Sequence, residues 1–127
     1  MDRPSVILLD ASVWIDHIRS ADGSVSALLD GEKVLCHPFV IGEVALGQFR
    51  ERESFLVQLR KLPVSEVASH HEVMAFIERY RLFGSGLGYV DAHLLASALL
   101  TPGSKLWTRD KRLKEAATRL SLVADGL

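Results

Sequence analysis

The sequence predicts an α/β fold in one domain, with a mostly parallel central sheet of about five strands and helices on both faces. The length of 127 residues suits a single hydrophobic core. Short apolar runs alternate with segments of helical periodicity, and strands that alternate with helices form parallel sheets. No repeat or linker-like stretch divides the chain, so we predict one domain over residues 1–127.

The predicted strands are five short apolar runs. The first run is continuous, which is typical of a strand buried on both faces. The strand candidates are residues 5–9, 33–37, 63–67 (the weakest of the five), 105–108 and 120–124. Parallel sheets bind ligands beyond the carboxyl ends of their strands, where the strand order reverses. Polar residues that directly follow a strand are therefore the first candidates for a site.

Helical patterns fill the intervals between the strands. Pro38 suits the first turn of a helix, and Pro63 ends a helix with an apolar face. The glycine-spaced loop GSGLG precedes a segment that reads as a buried helix. The predicted helices cover residues 12–20, 24–31, 38–49, 53–62, 69–83, 91–100 and 110–120.

Composition limits the possible functions. The formal net charge of −1 excludes nucleic-acid binding through overall charge. The single cysteine, Cys36, excludes an internal disulfide and a cysteine-rich zinc site. No apolar run is long enough for a membrane span or a signal peptide, so we expect a cytoplasmic protein. The local run RDKRLK at 109–114 fits a solvated helix face or a phosphate-contacting rim, and by itself it favours the solvated face.

Three aspartates stand where helices are predicted to begin. Asp10 follows the first strand, Asp110 follows the fourth, and Asp91 opens a helical segment. Aspartate is a favoured residue at a helix N-terminus, so capping explains each of them when it is considered alone.

Glu43 is the carboxylate that capping does not explain. Its helical neighbours include Phe39 and Leu46, and no Lys or Arg lies three or four residues away. We therefore expect Glu43 on an apolar stripe, where an unpaired carboxylate is costly or takes up a proton. Either a group outside this helix compensates Glu43, or the stripe ends at a cavity. Asp16, by contrast, is expected to form a surface pair with Arg19 at helical spacing.

The four acids would need a cation if they converged. Like charges in one pocket repel and raise one another's pKa values. A cluster of carboxylates without His or Cys suits Mg²⁺ or Mn²⁺, which activate water and stabilise an in-line displacement at a phosphate ester. The five histidines show no metal-ligand spacing, and the GSGLG loop lacks the Lys of a phosphate-binding loop.

Four short motifs occur in a recognisable order. They are Asp10-Ala-Ser12 after a strand, Glu43 in a mid-chain helix, GLGYVDAHLLASA at 86–98 and LWTRD at 106–110. Together they resemble the PIN-domain ribonucleases, in particular the VapC-type toxins of bacterial toxin–antitoxin pairs. The match extends nearly from end to end, and it implies a PIN-like domain with an acidic pocket at the carboxyl edge of the sheet.

The resemblance also implies the roles of individual residues. The family's acidic quartet holds one or two Mg²⁺ or Mn²⁺ ions, and the matching catalytic and metal-binding residues here are Asp10, Glu43, Asp91 and Asp110. Ser12 and Thr108 match small hydroxyl positions, which we expect to orient a carboxylate or a metal-bound water. Because the net charge is slightly negative, we expect RNA contacts from a local cluster, Arg109, Lys111, Arg112 and Lys114.

The function implied by the resemblance is metal-dependent endonucleolytic cleavage of single-stranded or loop RNA, commonly tRNA or ribosomal RNA. Such proteins are typically homodimers that a cognate VapB-type antitoxin inhibits. Two alternatives remain. An aspartyl-phosphate phosphatase usually needs a second Asp two residues after the first, where this chain has Ser12. A non-catalytic binding module would not require the four acids that are present.

Overall fold

The central strand, β1 (Val6–Leu9), is buried on both faces. The computed structural model describes residues 6–125 and residue 127, so residue 5 of the first predicted strand lies outside the described residues. Successive strand residues point to opposite faces, and Leu8 and Leu9 both have no exposed surface. Both faces of the sheet are therefore covered, as a continuous apolar run predicts.

Two parallel neighbours flank β1. On one side lies β2 (Val34–Leu35), and on the other lies β3 (Ser104–Trp107). The resulting order is β2-β1-β3. The chain first adds β2 on one side of β1 and then crosses to add β3 on the other side, so the strand order reverses between β1 and β3. That reversal marks the carboxyl edge between these two strands as the expected ligand site.

The prediction of about five strands is wrong, because the described residues form only three. Residues 63–67 and 120–124 lie beside the outer strands, but each makes one isolated bridge, Val64 with Cys36 and Val123 with Leu106. Pairing cannot continue past Cys36, since the next residue begins the cap of a helix. On β3 the Ser104 amide is already bonded to the Thr101 carbonyl, so it cannot pair with a further strand. Leu106 is the β3 residue that pairs with the segment 120–124.

Each predicted helical segment contains a helix. Two helices end four residues earlier than predicted, after Ala45 and Arg79. The second is followed by Arg81 in a left-handed conformation with φ of 54°. No helix in the described part of the chain is both long and apolar enough to cross a membrane. The helices are α1 (Ala11–Arg19), α2 (Gly23–Asp30), α3 (Pro38–Ala45), α4 (Arg52–Arg60), α5 (His70–Arg79), α6 (Tyr89–Leu100) and α7 (Lys111–Arg119).

Helix α6 is the most deeply buried helix, as predicted for residues 91–100. Every residue from Ala92 to Ala98 is buried, whereas Leu99 and Leu100 are exposed. Burial of the helix body fixes its N-terminal turn, which carries Asp91, relative to the sheet.

A buried hydrogen-bond network joins α3 to α6. His37 Nδ1 accepts the Phe39 amide and thereby caps α3, while His37 Nε2 lies 3.1 Å from Ser97 Oγ. Burial lowers the pKa of His37 to about 4, with a smaller contribution from His93, so the ring is neutral at pH 7. Because Nδ1 accepts, the ring proton is on Nε2 and is donated to Ser97 Oγ, which also accepts the Ala68 amide.

This network predicts a stability difference between two buried serines. Ser97→Ala leaves two buried donors without an acceptor, so we expect a loss of about 1–3 kcal/mol in the free energy of unfolding. Ser65 is the control, because its buried Oγ has no hydrogen-bond partner among the described residues. Ser65→Ala should be neutral or slightly stabilising in urea denaturation. Equal losses for the two variants would contradict the assignment.

Candidate metal centre at the carboxyl edge of the sheet

The register of β1 and β3 places Asp10 beside Thr108. Leu9 pairs with Trp107, and the next amide, that of Asp10, donates to the Trp107 carbonyl at 2.9 Å. Asp10 and Thr108 are thus the first residues beyond two adjacent parallel strands, at the reversal of strand order. Both are buried.

One oxygen of Asp10 receives two hydroxyl hydrogen bonds. Ser12 Oγ and Thr108 Oγ1 each donate to Asp10 Oδ2 at 2.8 Å. Each hydroxyl has one proton, so the 3.3 Å contact between these two groups adds no further hydrogen bond. Asp10 Oδ1 accepts nothing from the described residues. Asp10 stands at the N-cap position of α1 without a side-chain cap bond, so capping does not explain it.

Asp110 and Asp91 each use one oxygen at a helix start. Asp110 Oδ1 accepts the Leu113 amide at 2.9 Å, which confirms it as the N-cap of α7. Asp91 Oδ2 accepts the amide of Gly88, the residue before α6, at 3.1 Å. As with Asp10, the second oxygen of each accepts no hydrogen bond within the described chain. All three aspartates are therefore held through one oxygen only.

Glu43 is exposed at a groove, which corresponds to the expected arrangement in which the apolar stripe ends at a cavity. Helix α3 is only eight residues long and buries Val40 and Val44, which leaves Glu43 facing a groove of about 290 Å³. Ile15 and Phe49 also line this groove. The helical neighbours of Glu43, Phe39 and Leu46, are themselves exposed, so this side of α3 opens onto the groove and does not pack on the core.

The acids nevertheless act on one another electrostatically. Partial burial raises the pKa of Glu43, and the negative charges of Asp10 and Asp91 raise it further. Burial also raises the pKa of Asp91; the Gly88 amide opposes this shift, while Asp10 and Asp110 add to it. Repulsion therefore disfavours full ionisation of the set.

The donor set fits a hard divalent cation. Within residues 6–125, the ion pairs are Arg52–Glu53, Arg109–Asp16 and Arg109–Asp22, and none of them neutralises the four acids. In that range no three His, Cys, Asp or Glu side chains lie close enough together to hold a metal ion as they stand. The fit is therefore one of donor chemistry, because the acids influence one another's pKa values and carboxylate oxygens are the ligands that Mg²⁺ prefers.

Arg109 has two carboxylate partners. Its Nη2 donates to Asp22 Oδ2 at 2.7 Å, its Nε lies 3.1 Å from Asp16 Oδ2, and its guanidinium lies over the Trp107 ring. The expected Asp16–Arg19 pair is absent from the described ion pairs, since Arg109 can also reach Asp22 and stack on an aromatic ring. An RNA contact by Arg109 stays a prediction, although its guanidinium is already paired.

The other predicted RNA contacts lie on the exposed side of α7. Lys111, Arg112 and Lys114 form no ion pair within the described residues. Arg112 lies against the loop before α6. Its Nη1 is so close to Gly86 that a Cβ added at this glycine would be only 2.7 Å away. Gly86 has φ of +84°, which favours glycine for a second reason. Arg112 thus bridges the elements that carry Asp91 and Asp110.

Sequence reasoning missed Asp22. Its Oδ1 accepts the amides of Ser24 and Val25, so it caps α2, and its Oδ2 remains for Arg109. The run Asp-Gly-Ser before a helix is a recognisable capping signal. Nothing in the spacing links residue 22 to residue 109, so the ion pair had no sequence signal.

Comparison with known proteins identifies the family. Residues 7–119 match the PIN domain. The chain is 50% identical over 111 residues to ribonuclease VapC32 of Mycobacterium tuberculosis, in both strain CDC 1551 and strain H37Rv, covering 87% of this chain and 90% of the relative. The crystal structure of PAE2754 from Pyrobaculum aerophilum has a similar fold, with a TM-score of 0.57 at 19% identity over 93% of this chain and 90% of that one. The chain belongs to the PIN-domain family, and its similarity to VapC32 places it among the VapC-type members.

Proposed function

We propose that this protein is a metal-dependent endoribonuclease that hydrolyses phosphodiester bonds in RNA, and that it is the toxin of a type II toxin–antitoxin pair. The observation that carries the proposal is the common arrangement of Asp10, Asp91 and Asp110. Each is held through one oxygen and keeps the other unpartnered within the described chain. The name and the 50% identity of VapC32 support RNA as the substrate.

Asp10, Glu43, Asp91 and Asp110 would hold Mg²⁺ or Mn²⁺. The bound ion would activate water and stabilise charge that develops on the phosphate. Ser12 and Thr108 both donate to Asp10 Oδ2, so Oδ1 is the oxygen that neither hydroxyl occupies. The Asp110 amide donates to Thr108 Oγ1 at 3.0 Å, so the first and last acids share one hydrogen-bonded support.

RNA would approach over the start of α7. Lys111, Arg112 and Lys114 offer exposed cations next to Asp110, and a phosphate chain bound there would pass close to the acids. Arg112 is the best oriented of the three, since it packs along the Gly86 backbone. A local cation cluster of this kind reconciles RNA binding with a net charge of −1.

Membership of the family supports proposals for the partners and the location of the protein. We propose a cytoplasmic homodimer that acts on tRNA or ribosomal RNA and is neutralised by a cognate VapB-type antitoxin. The apolar groove beside Glu43 supports an inhibitory partner, because a segment bound over Ile15 and Phe49 would reach the acidic edge. Sequencing RNA fragments after brief induction would identify the RNA that is cut.

Removing one repelling charge should stabilise the metal-free protein. Asp91→Asn keeps an acceptor for the Gly88 amide, and we expect a gain of roughly 0.5 kcal/mol after solvent screening, or about 2 °C in Tm. The same change should weaken the stabilisation that Mn²⁺ gives the natural protein. Asp125→Asn, at an exposed position outside every helix, is the matched control and should alter neither value.

The raised pKa values of two of the acids predict how Mn²⁺ affinity and stability change with pH. Protons compete with the metal at Glu43 and Asp91, whose pKa values are raised. Mn²⁺ affinity should therefore fall as the pH falls, beginning at a higher pH than for ordinary carboxylates. Folded-state stability without metal should change in the opposite direction, increasing as these two groups take up protons. Calorimetric titrations across pH would test both trends, and a pH-independent Mn²⁺ affinity would contradict them.

Cleavage by the purified, antitoxin-free protein is the decisive test of function. With Mg²⁺ or Mn²⁺ we expect internal cuts in RNA and loss of activity with a chelator. Asp10→Asn should decrease the cleavage rate at least about 100-fold, which is the upper end of the range for groups that only orient metal ligands. Activity that survives both treatments would defeat the proposal. Absence of divalent-metal binding would favour the non-catalytic module, and a trapped phospho-Asp10 would favour the phosphatase.

The cations of α7 should control RNA binding and not metal binding. Lys111→Gln, Arg112→Gln and Lys114→Gln should each weaken binding of uncut RNA, and each lost phosphate contact should reduce the slope of log affinity against log salt by about 0.7. Lys61→Gln is the control, because this exposed residue ends α4 outside the site. If the four variants have the same salt slope, RNA does not bind over α7.

A further inference from the structure

We infer that Arg109 is a positioning residue of the metal centre, which ties the connection between β3 and α7 to α1 and α2. In this role it sets the separation of Asp110 from Asp10. The inference rests on the proposed function, because the two acids are proposed metal ligands. It assigns Arg109 a task different from contact with RNA.

The Arg109 side chain is anchored on three elements. Two of its nitrogens meet different carboxylates, Asp16 on α1 and Asp22 at the N-cap of α2. Its guanidinium also lies 5.5 Å from the centre of the Trp107 ring on β3. A planar guanidinium with donors on several sides can make these contacts together, and an ammonium group cannot reproduce them.

Asp22 is held ready for this contact. Its Oδ1 accepts the amides of Ser24 and Val25 at 2.8 and 3.1 Å, so the carboxylate orientation is set by the start of α2. The Val25 amide contributes most to lowering the pKa of Asp22, and the Ser24 amide and Arg109 contribute in the same direction. Arg109 therefore meets a fixed, ionised partner.

The Arg109 backbone connects the anchor to the acids. Its amide donates to Ser12 Oγ at 3.0 Å, and Ser12 Oγ donates in turn to Asp10 Oδ2. The next amide, that of Asp110, donates to Thr108 Oγ1, which donates to the same oxygen of Asp10. A displacement of residue 109 would disturb both chains of hydrogen bonds. The side chain thus holds in place the segment through which Asp10 and Asp110 are connected.

Charge and position predict opposite effects on metal binding. Arg109 is a cation close to acidic residues, so its removal by charge alone should tighten the binding of another cation. If Arg109 positions the acids, its removal should weaken that binding, because groups that orient metal ligands commonly change affinity 10–100-fold. Whether Mn²⁺ affinity rises or falls therefore distinguishes a purely electrostatic effect of Arg109 from a positioning role.

The experiment measures Mn²⁺ affinity calorimetrically in the intact, antitoxin-free chain. We expect Arg109→Gln to weaken binding about 3–10-fold, since Arg109 acts through one further residue, and Arg109→Lys to weaken it about 2-fold. Arg19→Gln is the matched control for charge. Arg19 lies on the same helix as Asp16, is exposed and forms none of the described ion pairs, so this change should leave Mn²⁺ affinity unchanged or slightly tighter.

A metal-free measurement accompanies the titration. Amide hydrogen exchange at residues 109 and 110 should accelerate in Arg109→Gln, while exchange in the buried body of α6 should not change. If Arg109→Gln fails to fold, Arg109→Lys provides both measurements.

Three outcomes would overturn the inference. The first is Mn²⁺ binding by Arg109→Gln that equals or exceeds that of the natural chain. The second is a changed salt slope for RNA with unchanged Mn²⁺ affinity, which would make Arg109 an RNA contact. The third is unchanged exchange at both amides. If the natural chain binds no Mn²⁺, the proposed function fails, and the exchange measurement still decides whether Arg109 fixes this segment.

Discussion

The donation of two hydroxyl protons to one oxygen of Asp10 is the interaction on which the acidic edge depends. One hydroxyl comes from α1 and the other from the end of β3, so the carboxylate joins the two chain segments that approach it. Parallel pairing of Leu9 with Trp107 makes this possible, because it brings both strands to an end at the same level. Charge-assisted hydrogen bonds are stronger than neutral ones, which compensates for the burial of Asp10.

The site combines rigid support with uncompensated charge. Exposure increases from Asp10, which is buried, through Asp91 to Glu43, which faces the groove. Repulsion among these groups works against stability, while the same charges attract a divalent cation. Functional sites commonly reduce stability in this way. Arg109 supports the rigid part of the site by pairing with Asp16 and Asp22. Within the described part of the chain it forms no ion pair with the four central acids, so their charges stay uncompensated.

Features with a local cause could be predicted from the sequence. Each helical pattern contains a helix, Asp110 caps α7, and the order of strands and acids indicated the family. Features that depend on distant partners could not. Glu43 is exposed because its helical neighbours Phe39 and Leu46 do not pack on the core, and the Arg109–Asp22 pair joins residues that are far apart in the chain. The number of strands depended on which outer amides were still free to pair.

The two single bridges that flank the sheet affect how copies of the protein can meet. Just after β2, the Cys36 amide donates to the Pro63 carbonyl and the Cys36 carbonyl accepts the Ser65 amide. On β3, the Leu106 amide donates to the Leu122 carbonyl and the Leu106 carbonyl accepts the Ala124 amide. An open strand edge is a template for strand addition and aggregation, and these short segments cover it at both sides. These contacts protect the sheet edges at Cys36 and at Leu106 from strand addition by a second copy.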